Sequence, residues 1–119
     1  MSEPVSIADA EHYLWGGACN GWHLVRNENL SVIEERMPPD AAEQRHFHTL
    51  ARQFFYVLEG KLTMELEGRI LVLELGQGLE IAPGQPHQAM NRSDANVRFL
   101  VISQPPSQGD RTPAYPSSD

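Results

Sequence analysis

No segment of ten or more residues in this chain places its apolar side chains at the helical period of about 3.6. Short runs stopped by turn-forming residues take the place of helices. Residues 61–67, KLTMELE, alternate strictly, with Leu62, Met64 and Leu66 on one face and Thr63, Glu65 and Glu67 on the other. Glu67-Gly68-Arg69 reads as a tight turn, and residues 70–75 return as the partner strand. Further strands are expected over 30–37, 44–49, 53–59, 79–82, 87–91 and 97–103. Pro38-Pro39, Gly60, Gly76-Gln77-Gly78, Pro83-Gly84 and residues 93–96 separate them. Many short strands at close spacing imply an all-β barrel or sandwich.

The 119 residues make one domain with room for one core. Three stretches are distinguished. Residues 1–29 read as an N-terminal arm followed by an irregular glycine- and tryptophan-containing segment, residues 30–103 as the barrel, and residues 104–119 as a proline-rich tail. The tail is either mobile or a strap laid over the barrel or a neighbour. Trp15 and Trp22 either plug one end of the core, meet a second subunit or cover a ligand. His12 and His23 read as surface or hydrogen-bonded residues, and Cys19 as a buried or incidental thiol.

A net charge of -7, with no basic cluster, argues against nucleic acid and against an anionic membrane surface. No apolar run approaches the roughly 18–20 residues needed to cross a bilayer. The first residues carry acids and no basic stretch, unlike a secretory signal, and a single cysteine allows no internal disulfide. The cytoplasm is the expected compartment.

The chemistry concentrates in two places. In a strand, His46 and His48 project to the same side, and Gln53 follows five residues later. His87 stands downstream in the turn-rich segment APGQPH. Neutral imidazoles on a pleated surface suit one divalent transition metal, Fe, Mn, Ni, Cu or Zn.

The spacing around these residues resembles the cupin family. His46-Phe47-His48, four residues, Gln53, six residues and Gly60 follow its first motif, with glutamine in place of glutamate and Asp40 in place of the leading glycine. Gly76, five residues, Ala82-Pro83-Gly84, two residues, His87, three residues and Asn91 follow the second motif, lacking only its first proline. The resemblance implies a double-stranded β-helix of the jelly-roll type. It also implies a metal held by His46, His48, Gln53 and His87, with Gly84 and Asn91 structural. Glutamine leaves such a centre one unit more positive than glutamate and is a weaker donor. It either ligates or hydrogen-bonds to a bound water or substrate.

Strand parity with Gln53 places Phe55 and Val57 in the lumen, and alternation in their own strands adds Met64 and Phe99. This apolar pocket suits a small organic molecule. Arg52 and Tyr56 project away from Gln53. The expected function is that of a metal-binding cupin acting as a dioxygenase-like or an isomerase/lyase-like enzyme. A non-catalytic module binding a small metabolite is the alternative. The doubly apolar run 53–59 and the tail point to a homodimer.

Overall fold

The computed structural model describes residues 3–115. Among these residues every regular element is a strand: β1 Glu11–Trp15, β2 Cys19–Arg26, β3 Ser31–Met37, β4 His46–Phe47, β5 Arg52–Glu59, β6 Leu62–Leu66, β7 Arg69–Leu73, β8 Gly78–Ile81, β9 His87–Met90, β10 Val97–Gln104 and β11 Thr112–Pro113. They form two antiparallel sheets, a six-stranded one in the order β1-β2-β3-β10-β5-β8 and a five-stranded one in the order β11-β4-β9-β6-β7. This is the jelly-roll arrangement of two sheets facing each other over one core.

The hairpin of β6 and β7 turns at Glu67 and Gly68, both at positive φ (50° and 89°), the geometry whose twist matches the flanking strands. Its inward residues Leu62 and Met64 are fully buried, as alternation requires. In β5 the inward set Gln53, Phe55 and Val57 is buried, while Phe54 on the other face is 39% exposed and Tyr56 and Leu58 are half-buried. The strand is therefore sealed on one face only. Fully buried Met37, Leu62, Met64, Val57, Val97 and Phe99 form the centre of the core. Asp40, at the position where the cupin motif has glycine, adopts a left-handed φ of 69°, a conformation glycine takes freely and aspartate tolerates.

Both ends of the chain are more structured than their composition suggests. The stretch read as arm and irregular segment contains β1 and β2, which extend the large sheet beyond β3. Glycines 16 and 17, both at positive φ, form the turn between them instead of ending order. The tail lies on the barrel: β11 pairs with β4, and Ala114 N–H donates to the Arg45 carbonyl. Of the two readings of the tail, the strap applies to residues 104–115; residues 116–119 lie outside the described residues.

Candidate metal centre and its cavity

His46 lies directly opposite His87 in the β4–β9 pair, so their side chains leave the same face side by side. His48 joins them from the bend after β4, where its carbonyl accepts Gly84 N–H at 2.7 Å. The three rings have centroids 4.5 to 5.7 Å apart, and one ligand atom from each lies within 4.8 Å of the others. All three residues are at most 5% exposed.

The tautomers are set by the backbone. Each Nδ1–H donates to a main-chain carbonyl: His46 to Gln44 (2.7 Å), His48 to Asp110 (2.6 Å) and His87 to Gln85 (2.9 Å). Each Nε2 is then left with a lone pair. The Nε2 atoms of His48 and His87 are buried without any hydrogen-bond partner. Burial pushes all three imidazoles towards the neutral form, His46 to about 3 and His87 to about 4, against the opposing pull of their carbonyl partners. Neutral, convergent and unpartnered nitrogens are what a divalent transition metal requires.

Gln53 reaches the same place from the other sheet. Its Nε2 donates to Ser103 Oγ, 3.0 Å away on the adjacent strand β10, and its buried Oε1 has no partner. Three imidazole nitrogens thus converge, and Gln53 shares the cavity lining with two of them.

His46, His48 and Gln53 line a cavity of about 240 Å³, together with Tyr13, Trp15, Ile33, Glu35, Glu43, Phe55, Val101 and Arg111, while His87 is fully buried beside them. Tyr13 Oη donates to Glu35 Oε2 at 3.0 Å. Burial pushes the Glu35 carboxyl up to about 8, with the charge of Glu43 adding to the rise and the Tyr13 hydrogen bond opposing it. The Tyr13 hydroxyl is itself pushed up by burial and by Glu35. Burial also raises Glu43, to about 7, although its Oε2 accepts Ala89 N–H at 2.8 Å. Glu43 Oε1 lies 4.0 Å from His46 Nδ1 and 4.0 Å from Arg111 Nη2.

The family model of the cupin domain matches residues 33–103. The chain belongs to the cupin family. Among curated relatives, the "Polyketide synthase CurC" of Streptomyces cyaneus is 29% identical over 94 residues, which cover 67% of this cupin and 61% of the relative. The cupin therefore spans about three-fifths of that protein's length. Among solved structures, the polyketide cyclase RemF of Streptomyces resistomycificus superposes with a TM-score of 0.82 at 23% identity, covering 100% of this chain and 89% of the other. A cupin-superfamily sugar phosphate isomerase from Silicibacter pomeroyi superposes with a TM-score of 0.77 at 21% identity, covering 86% and 75%. At these identities the structural likeness concerns the fold.

In this cupin the sequence-derived metal set His46, His48, Gln53 and His87 gathers in one place. The sequence-derived pocket set divides. Phe55 lines the cavity, whereas Val57, Met64 and Phe99 are fully buried in the closed core. Parity shows which way a side chain points but not how far along the barrel the lumen stays open. The two tryptophans also separate. Trp15 lines the cavity, and Trp22 packs on the other face beneath the Arg36 guanidinium and beside His12.

Sequence reasoning missed Tyr13, Glu35, Glu43 and Arg111. For Glu35 a signal existed: it stands between Ile33 and Met37 on the buried parity of β3. Tyr13 and Arg111 come from outside the matched region and carry no local mark of the cavity.

Proposed function

We propose that this cupin is a metal-dependent enzyme acting on a small organic carbonyl compound without net oxidation. The observation that carries the reading is the convergence of three backbone-tautomerised imidazoles, of which His46 and His48 line a cavity that also carries titratable oxygens. His46, His48 and His87 would hold the metal through Nε2, and Gln53 Oε1 is proposed as the fourth donor. A divalent ion held there would supply Lewis-acid polarisation of a carbonyl, which would make the neighbouring C–H more acidic.

The chain's own residues supply the rest. Phe55, Ile33 and Val101 give the cavity an apolar flank that excludes water from the reacting carbon. Arg111 at the strap places N–H donors near Glu43 for a polar substrate group. The raised carboxyls hold or release a proton near neutral pH. Between the dioxygenase-like and isomerase/lyase-like classes, these acid–base groups favour the second. The names of the relatives, a polyketide synthase, a polyketide cyclase and a sugar phosphate isomerase, point the same way.

The reading includes a homodimer formed through the outer face of β5, where Phe54, Tyr56 and Leu58 remain partly exposed. Among the described residues no helix is long and apolar enough to cross a membrane.

The test is elemental analysis of protein purified without chelator, wild type beside His48→Ala, with oxygen-uptake and proton-exchange assays run in parallel. Near one equivalent of metal, lost in His48→Ala, together with proton exchange and no oxygen consumption, is expected. A wild type that takes up no metal on reconstitution rejects the reading in favour of a metal-free binding module.

A further inference from the structure

The two sheets present different chemistry to the same cavity. The small sheet carries the imidazole cluster, of which His46 on β4 and His48 on the bend after β4 line the cavity. The large sheet supplies an acid and a phenol. Tyr13, Gly21, Glu35, Phe99 and Val57 form one row across β1, β2, β3, β10 and β5. Gly21 stands between Tyr13 and Glu35 in that row, and a Cβ on it would fall on the Tyr13 ring. The absent side chain lets the phenol lie across β2 and reach Glu35 two strands away. This contact is built into the row by the glycine between the two side chains.

We propose that Glu35 is the proton-transfer group of this site, held by Tyr13, and acts on a carbon next to the carbonyl of a small oxygen-bearing ketone. The inference rests on the proposed function and deepens it. Glu35, as carboxylate, takes the proton from that carbon. The C–H electron pair becomes the C=C bond of an enolate, and the carbonyl π pair moves onto oxygen. The proton on Glu35, or a solvent proton exchanged for it, then goes to the enolate oxygen or back to the same carbon, which restores the carbonyl, so no oxidant or reductant is consumed. Tyr13 acts as the positioning residue, since its hydroxyl fixes one carboxyl oxygen and stabilises the charged form.

The groups that set the proton affinity of Glu35 come from several elements. Glu43 precedes β4, Arg111 lies on the strap, Tyr13 is on β1, and Cys19 on β2 feels the Glu35 charge. A carboxyl whose release is displaced to about 8 is a stronger base than an exposed one.

The experiment follows deuterium uptake from D₂O into hydroxyacetone, dihydroxyacetone and ethyl acetoacetate by zinc- and manganese-loaded protein. Metal content is measured on the same samples. Glu35→Gln is expected to keep its metal and lose about 100-fold or more of the exchange rate. Tyr13→Phe is expected to keep measurable exchange, with the rising limb of its pH profile moved to higher pH because the hydrogen bond that favours the carboxylate is gone. Carboxyl-¹³C NMR of the metal-free protein supplies a readout independent of turnover: two glutamate resonances titrate well above the rest, and the higher of them is missing in Glu35→Gln. Metal-loaded Glu35→Gln that exchanges at the wild-type rate overturns the inference and leaves the proposed function standing, as does a spectrum in which every glutamate titrates near the ordinary value. A metal-loaded wild type that exchanges none of the three probes overturns both.

Discussion

His48 Nδ1 donates to the main-chain carbonyl of Asp110, 2.6 Å away and 62 residues along the chain. The Asp110 carboxylate meanwhile accepts N–H bonds from Thr49, Leu50 and Ala51 at 2.8 to 2.9 Å. One residue of the strap therefore fixes both the tautomer of a proposed ligand and the bend that carries it. Those N–H groups hold the Asp110 carboxyl below its usual range.

Asp110→Ala keeps the carbonyl that His48 uses but frees the bend that carries it, and should weaken metal binding by about 10-fold, the lower end of the usual effect of disturbing the support behind a ligand. Amide exchange at residues 49–51 should accelerate in the same variant. Calorimetric metal titration and hydrogen exchange by mass spectrometry measure the two effects. Unchanged affinity with faster exchange would mean that the bend and the ligand are independent.

Gln53→Glu should bind divalent metal more tightly, because a carboxylate replaces the proposed amide donor and lowers the charge of the centre. Competition against a chromogenic chelator reports the affinity. The same substitution removes the Nε2 donor to Ser103, so a modest loss of metal-free stability should accompany the gain.

The metal-free protein should lose stability as pH rises from about 6.5 to 8. Glu35 and Glu43, raised to about 8 and about 7, still bind protons there that the unfolded chain, with glutamates near 4.5, has released. Histidines work in the opposite direction. With His46 and His87 held near 3 and 4, the unfolded chain binds the extra protons below about 6.5, so stability falls as pH drops from there. The two contributions oppose each other between 4.5 and 6.5, and only the carboxyl one acts above. Calorimetric melts in chelator should show this decline, and Glu35→Gln should flatten it.

Gly21→Ala should destabilise the fold by roughly 1–3 kcal/mol, since the added carbon collides with the Tyr13 ring, which must move. Urea unfolding gives the loss. Tyrosine fluorescence or NMR should show the phenol leaving Glu35.

The barrel was readable because its strands are short, alternating and separated by glycine and proline. The 61–67 run, the Glu67-Gly68 turn and the positions of His46 and His87 needed nothing beyond local pattern. What escaped depends on distant pairing. Residues 11–15 carry no clean alternation, and their strand exists because β2 lies alongside. The open length of the lumen is set by how far the two sheets separate, so Phe55 and Phe99 look equivalent in sequence although only the first meets the cavity. Composition left the strap as one of two readings of the tail, because its hold on residues 49–51 runs through one aspartate.

That aspartate also imposes an order of events during synthesis. Chains emerge from the amino terminus first. His46, His48 and His87 are all made before residue 110 exists, yet His48 receives its tautomer-setting partner only when that residue arrives. A nascent barrel can close its sheets around an incompletely oriented set of proposed ligands, and the strap completes it. Under the proposed function, metal capture would then follow docking of the strap.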